Sequence, residues 1–475
     1  MSASRSTGPE RAPGAGPARA AGAVSGRLRA ALGAGAVSDG ETARSDFAVD
    51  GLRPAAVAFP ETPEEVAALL ALAGAEGWAV IPWGGGSGLA RGNGPDRYDV
   101  ALSLSRLAAV RDHEVENLTF TADAGLTVAE ANRRIAPHHQ LLAIAAADAP
   151  HTLGGCVAAN RIAPQRLLYG EVRDQLLGLR VALPDGTLVR YGRKVLKNVA
   201  GYDMNKLFVG SQGMLGVVVE TTFKLFALPD REACLLATFP ALEHAAAAAG
   251  ALYRSRLLPA GLHVLDATSG AQAQAALHGT SPADMPDRAP GEAAHLLLGF
   301  AGRAVTVARQ LRDTQALLRE QGAGAVQELP RVTPALRAAL ERPLPAAGAP
   351  TALRLRCGVL PTTLATLARQ LAGMAGELGV PHAIACDYGA GQLHLALGTV
   401  SEAAVPLLVA ALARLRAALS AQRGYALLEQ APAAVKAELE ALGAEPGELR
   451  LMRVLKRRFD PGNVLVPGRY LSLAD

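Results

Sequence analysis

The sequence predicts an α+β protein made of two unlike halves, and three observations carry that prediction. Strong helix formers alternate with short apolar strands through residues 52–229, whereas Ala/Leu-rich helices separated by short strands take over beyond Pro229. Between a helix and a later strand of the first half stands Gly84-Gly85-Gly86-Ser87-Gly88, four glycines in five positions. At 475 residues the chain can bury a large core and hold two or three domains. The segments assigned are a disordered N-terminus, 1–22, a helix and lead-in, 23–51, and a first α+β domain, 52–229. An α+β cap, 230–425, follows, and a C-terminal segment, 426–475, packs back on the first domain.

Met1 to Gly22 is rich in Ala, Gly, Pro, Ser and Arg, with Glu10 as its only acid. Its many Pro and Gly residues spoil an amphipathic transit helix, and no apolar run makes it a signal peptide, which predicts disorder. Ala23 to Leu32 reads as a short helix. Thr62 as N-cap and Pro63 in the first turn open a helix over 63–76. Strands around Ala79 to Pro82 and Val100 to Leu104 flank the glycine cluster. Leu118 to Ala122 alternates as a strand does, and Thr127 caps a helix start. Leu176 to Leu183 and Thr187 to Tyr191 form a hairpin through Pro184-Asp185-Gly186. Further on, helices Ala241 to Leu252 and Ala304 to Gln321 bracket a strand, His295 to Phe300. The Ala-, Gly-, Pro- and Asp-rich stretch Thr268 to Pro290 reads as a surface loop. Strand Thr351 to Arg356, helix Leu364 to Leu378, strand Gln392 to Leu397 and helix Ala403 to Leu419 repeat the pattern. Two such units predict a ferredoxin-like cap. A helix over Pro446 to Arg457 lies in the C-terminal segment.

The glycine cluster points to chemistry. Without Cβ atoms, successive N–H groups can turn inward into a concave nest for an anion such as a diphosphate. No Gly-x-x-x-x-Gly-Lys-Ser/Thr element occurs, and no Gly-x-Gly-x-x-Gly opens a helix after a strand, so neither a P-loop nor a Rossmann site is supported. A formal net charge of +4, 4% aromatics and a longest basic run of Lys456-Arg457-Arg458 give nucleic-acid binding little support. Cys156, Cys234, Cys357 and Cys386 stand far apart with no Cys-x-x-Cys, against an iron–sulfur cluster or structural zinc and in favour of a reducing compartment. No run of about 18 uninterrupted apolar residues exists, which argues against a membrane span.

Pro60-Glu61-Thr62-Pro63-Glu64-Glu65-Val66 followed by Ile81-Pro82-Trp83-Gly84-Gly85-Gly86-Ser87-Gly88 resembles the opening of the FAD-linked oxidases of the vanillyl-alcohol oxidase type. Three further blocks come in that family's order: Asp148 to Gly155, Lys197 to Asp203 and Gly210 to Glu220. The blocks Val49 to Pro54, Tyr169 to Asp174 and Lys197 to Asp203 resemble most closely the smaller FAD-binding subunits of bacterial glycolate oxidases. The end, Phe459-Asp460-Pro461 to Pro467-Gly468-Arg469, is similar too, except that this chain has Val466 where the family places Asn.

The resemblance implies a two-part PCMH-type FAD-binding domain, a cap, and a C-terminal segment that returns to the FAD domain. It implies FAD contacts from Pro82, Gly84, Gly85, Gly86, Ser87, Gly88 and Leu89, from Thr152, Gly154, Gly155, Ala158 and Asn160, and from Gly216, Val217 and Val218. Relatives often link FAD covalently through a His or Cys near the glycine loop. None stands between Pro82 and Asp99, so non-covalent FAD is expected. The implied activity is oxidation of a small 2-hydroxy acid within a complex with a larger FAD-binding catalytic subunit and an iron–sulfur subunit. The expected location is the cytoplasm, with the inner membrane reached through the complex. The alternatives are a stand-alone hydroxy acid or alcohol dehydrogenase and an assembly subunit with structural FAD.

Catalytic residues are not assigned. Relatives resemble one another at a His-x-Gly-Asp-Gly-Asn-Leu-His element, where this chain has Asp387-Tyr388-Gly389-Ala390-Gly391-Gln392-Leu393-His394. That leaves no evident metal cage, so His394 is read as structural, with His382 a distant candidate neighbour, and no metal is expected. The isolated chain is accordingly expected to turn over glycolate or D-lactate poorly. Arg173 and Asp174 read as a buried ion pair or a substrate clamp. Lys197, Tyr202 and Lys206 border the flavin or an interface, or form a solvated face with one packed tyrosine. Arg469 is a candidate to reach the same place from the C-terminus.

Overall fold

The computed structural model describes residues 21–144, 150–192, 202–278, 293–329, 333–345 and 350–473. The first 20 residues, Asp148 and the stretch from Lys197 to Gly201 lie outside them, as does the second half of the stretch read as a loop.

The first half folds for the reasons its sequence suggests. Thr62 accepts the Glu65 N–H at 3.1 Å, Pro63 occupies the first turn, and Gly77 closes the helix Pro63–Glu76 in the left-handed region. Val66, Leu69, Leu70 and Ala73 bury its inner face. It lies beside a four-stranded sheet ordered Val37–Ser38, Ala56–Ala58, Val100–Ser103, Val80–Trp83, the last two pairings parallel. A second, antiparallel sheet follows the order Val110–Glu114, Thr119–Asp123, Val217–Lys224, Leu176–Ala182, Leu188–Gly192. Both sheets share one core through Leu69, Ile81, Phe120, Val219 and Phe223. Each such side chain contributes roughly 1.5–3 kcal/mol by leaving water.

The C-terminal segment divides, against the expectation that all of 426–475 packs on the first domain: Ala426, Leu428 and Val435 belong to the cap core, and from Leu442 onward the chain packs on this same first core. The Val80 N–H donates to the Val464 carbonyl at 2.7 Å, and the Val466 N–H donates to the Val80 carbonyl at 2.9 Å, so residues 464–466 run beside the strand that feeds the glycine loop. Asp460, fully buried, fixes this return. It pairs with Lys456, and its carboxylate accepts the N–H groups of Val464 and Leu465 at 2.9 and 2.8 Å. Val466 itself sits at φ +43, a left-handed conformation that strains a β-branched residue by roughly 1–2 kcal/mol and that Asn adopts more readily.

The cap is an eight-stranded antiparallel sheet in the order Ala325–Leu329, Arg231–Phe239, Ala294–Gly302, Gly261–Leu265, His382–Asp387, Gln392–Leu397, Leu353–Gly358, Tyr425–Gln430. Each half has the 4-1-3-2 strand order of a ferredoxin-like unit, and the units join where His263 pairs with Asp387. Helices Leu242–Tyr253, Ala304–Glu320, Leu364–Glu377 and Val405–Ser420 cover one face over a core that includes Leu262, Val264, Leu355, Ile384, Leu393 and Leu395. The segment Glu402–Ser420 is by length and composition apolar enough to cross a membrane, although Arg414 and Arg416 interrupt its apolar run; here Leu408, Leu412 and Leu419 seat it on the sheet.

Residues Ala267–His278 form a helix where a surface loop was expected. Asp266 opens it by accepting the Ser269 N–H at 2.7 Å, and its Ala273 packs with Leu336 and Leu340 on the sheet's other face. The remaining face of the join is polar and turns toward the first half.

Candidate active site

Two contiguous cavities lie where the halves meet. The larger, of about 140 Å³, is lined by Pro82, by Gly84, Gly85, Gly86, Ser87, Gly88 and Leu89, and by Thr152, Gly154, Gly155 and Ala158, with Gly216, Val217 and Val218 completing it. Those are the expected cofactor residues except Asn160, which lines the adjoining cavity. The strand Val80–Trp83 delivers the glycine loop, and the helix Leu153–Ala159 delivers the second group. Thr152 caps that helix by accepting the Gly155 N–H at 3.2 Å, and the Gly154 N–H donates to the Ala124 carbonyl at 2.8 Å. Gly154 is required there because a Cβ would stand 2.6 Å from that of Ala124.

The donor set suits a diphosphate. The five N–H groups from Gly84 to Gly88 donate to nothing among the described residues, and Gly86 takes φ +75, which lets the chain turn into a nest. Arg469 holds the loop from behind. It is fully buried, and its guanidinium donates to the carbonyls of Leu89 at 2.7 Å, Asn93 at 3.3 Å and Arg91. Tyr470 beside it lines the cavity. So do His151 and Cys156, a potential linkage pair brought in from outside the loop. Burial pushes the Cys156 thiol up to about 12, leaving it protonated and a poor nucleophile. His151 Nδ1 lies 2.9 Å from the Ser87 hydroxyl, and burial, with Arg161 and Arg342 nearby, brings the ring down to about 4.

The second cavity, about 60 Å³, shares Ser87, Gly88, Arg91 and Arg161 with the first and is rich in charge. Strand alternation explains its walls. In Leu353–Gly358, Leu353, Leu355 and Cys357 enter the helix-covered core, so Arg354 and Arg356 face the other way; His394, His263, Asp387 and Glu429 project likewise from neighbouring strands. Glu429 accepts from Arg91 at 2.6 Å and lies 3.5 Å from Arg356. Burial alone would raise its carboxyl, but Arg91 and Arg356 hold it well below the usual carboxylate range. Arg161 pairs with Glu341 at 2.8 Å. Burial outweighs Glu429 and lowers His394 to about 4, so its imidazole is neutral near pH 7.

Other candidates fall elsewhere. Arg173 and Asp174 are both exposed and form no pair with each other; Asp174 instead accepts the Glu171 N–H at 2.9 Å. Tyr202 is 95% exposed and Lys206 pairs with Asp203, neither lining either of these two cavities, while Lys197 is outside the described residues. His382 pairs in register with Leu397, at the far end of the strand from His394, and faces Asp266 at 4.0 Å. Among the described residues no group of three or more His, Cys, Asp or Glu could hold a metal.

His151 and His394 make stability depend on pH. Each takes up its proton near 6.5 when unfolded and only near 4 when folded, so the unfolded chain binds more protons between those values. Stability should therefore fall as pH drops from 6.5 to 4, by about 1.4 kcal/mol per pH unit for each histidine. Denaturant titrations of the wild type and of His151→Gln, which should flatten the slope, measure this.

Comparison with known proteins places this architecture. A model of the FAD binding domain matches residues 54–192, and one of the FAD linked oxidases' C-terminal domain matches residues 228–470. Glycolate oxidase subunit GlcD of Bacillus subtilis is 26% identical over 442 residues, 88% of this chain and 89% of that protein. An uncharacterised FAD-linked oxidoreductase of Mycobacterium tuberculosis is 30% identical over 431 residues, covering 88% and 90% of the two chains. In fold, p-cresol methylhydroxylase superposes with a TM-score of 0.74 at 15% identity, over 95% of this chain and 97% of that one. The shared architecture, the unspent N–H groups of the glycine loop and the two matched domains make this chain a member of the FAD-linked oxidases, an FAD-dependent oxidoreductase.

Proposed function

We propose that the chain oxidises a small 2-hydroxy acid in the arginine-lined cavity and serves as the FAD-bearing subunit of a glycolate-oxidase type complex. One observation carries this reading: a pocket of cations opens directly onto the glycine-loop cavity, sharing Ser87, Gly88, Arg91 and Arg161 with it. The N–H groups of Gly84 to Gly88 would hold the FAD diphosphate, with Pro82, Leu89, Thr152, Gly154, Gly155, Ala158, Gly216, Val217 and Val218 walling the ring and Asn160 at its margin. FAD, when bound, accepts the hydride equivalent from the substrate carbon. Arg356 is the cation for the substrate carboxylate, its terminal nitrogens making no hydrogen bond among the described residues. His394, across the strand pairing from Arg356, is neutral and takes the hydroxyl proton.

The degenerate glycine element suggested an inactive isolated chain because it lacks a metal cage. Arg356 and His394 supply carboxylate binding and proton removal without one, which favours the chain as its own catalyst. The larger flavoprotein and the iron–sulfur subunit would then carry the electrons away, and their position at the inner membrane would set the location of this subunit. FAD is held without a covalent bond, consistent with the protonated Cys156.

The test uses the purified yellow chain. Acid precipitation should release all flavin into the supernatant; flavin left on the protein would contradict the non-covalent reading. Under anaerobic conditions glycolate or D-lactate should bleach the flavin in a single turnover, and sustained turnover should rise when the partner subunits are added. Failure of every 2-hydroxy acid to bleach it would overturn the substrate reading. Unchanged turnover together with no co-purification would overturn membership of the complex.

A further inference from the structure

The charges of the second cavity do not balance around a single carboxylate. Five guanidiniums, Arg91, Arg161, Arg342, Arg354 and Arg356, face three carboxylates, Glu341, Asp387 and Glu429, an excess of two positive charges. Asp387 is engaged by Arg166 at 3.4 Å, outside the lining, and Arg166 is engaged in turn by Glu171 at 3.1 Å, so neither changes the excess. His394 is neutral near pH 7, and burial lowers His263 as well.

The excess is also divided in space. Arg91 and Arg356 converge on Glu429, and Arg91 also lines the flavin cavity. Arg354 lies two residues back along the same strand face, about 7 Å away by the rise of an extended chain. Its guanidinium donates to the Pro343 carbonyl at 2.8 Å and to the Thr351 hydroxyl at 3.2 Å, not to a carboxylate. Arg342, next to that carbonyl in sequence, is exposed at the rim and has no carboxylate within ion-pair distance among the described residues. Like charges gathered this way repel one another and burial disfavours them, which is tolerable where an anionic ligand neutralises them.

From this we infer that Arg342 and Arg354 form a second anion subsite, and that the preferred substrate is a 2-hydroxydicarboxylate. One carboxylate, beside the hydroxyl, meets Arg356, and the second meets Arg342 and Arg354. Two unit charges match the excess of two; a phosphate ester would bring about three. The identity of the reacting end rests on the function proposed above, whereas binding of the second carboxylate does not.

Calorimetric titration of the FAD-loaded chain with succinate and glutarate, against butyrate as the monocarboxylate, tests the subsite without any oxidation. The dicarboxylates should bind at least tenfold more tightly. Arg342→Ala should bring them within threefold of butyrate, and Arg342→Lys should restore most of the difference. Anaerobic bleaching by both enantiomers of malate and 2-hydroxyglutarate should likewise exceed that by glycolate and lactate at equal concentration. Equal affinities in the unsubstituted protein, or a preference that survives Arg342→Ala, would overturn the subsite. Tight dicarboxylate binding with no bleaching by any hydroxy acid would uphold the subsite while refuting the proposed reaction.

Discussion

Arg356→Ala is expected to lower the second-order rate of flavin reduction by its hydroxy acid at least 100-fold while leaving the fold intact. A fork of charge-assisted hydrogen bonds from guanidinium to carboxylate is worth about 1.5–3 kcal/mol, and each 1.4 kcal/mol is a factor of ten. A second loss adds to the first. Glu429 keeps only Arg91 as a close cation, and its freed charge turns toward the place where the substrate carboxylate must sit. Arg356→Lys should recover part of the rate, because an ammonium supplies charge but cannot present two parallel donors. Stopped-flow bleaching, read alongside thermal melts, separates this from misfolding. A rate within threefold of wild type in Arg356→Ala would mean that the carboxylate is held elsewhere.

Gly85→Ala should cost the protein its flavin. A Cβ at this position would run into the carbonyl of Pro150, a backbone group that cannot rotate aside. The glycine loop and the segment leading into Thr152 would have to part, and both form the walls of the same cavity. FAD affinity should fall more than 100-fold in equilibrium titration, and the purified variant should be colourless. Gly86→Val makes a useful contrast. Its nearest contact is the Trp83 ring at 3.7 Å, so there is room for the side chain, and only the φ of +75 is penalised. That strain is worth roughly 1–2 kcal/mol, or a tenfold weakening. Wild-type affinity in both variants would show that the loop does not hold the diphosphate.

The glycine loop was legible because its chemistry is local: consecutive residues supply consecutive N–H groups, and the order helix, strand, loop is written in adjacent segments. The helix Pro63–Glu76 was legible for the same reason, since Thr62, Pro63 and Gly77 mark its ends. The arginine cavity was not. Arg91, Arg161, Arg342 and Arg356 come from widely separated loops and strands, and only the seating of the cap sheet against the first half places them together. A signal was nonetheless present. Leu353-Arg354-Leu355-Arg356-Cys357 and Leu393-His394-Leu395 alternate as two-faced strands do, and their polar faces look toward the other half of the chain, not outward to water. The helix Ala267–His278 was hidden by composition, because Pro and Asp further along that stretch dominated the reading of an Ala-rich start.

The buried Arg469 has a consequence for how the protein is made. Leu89, whose carbonyl it grips, precedes it by 380 residues, so the glycine loop leaves the ribosome long before its brace exists. At typical rates of synthesis that interval is on the order of tens of seconds. During it the first sheet also lacks residues 464–466, its neighbour beside Val80. Flavin loading is therefore expected to be a late event, following synthesis of Arg469. A premature stop just before Arg469 would spare every residue of the loop and still yield a protein that cannot keep its cofactor.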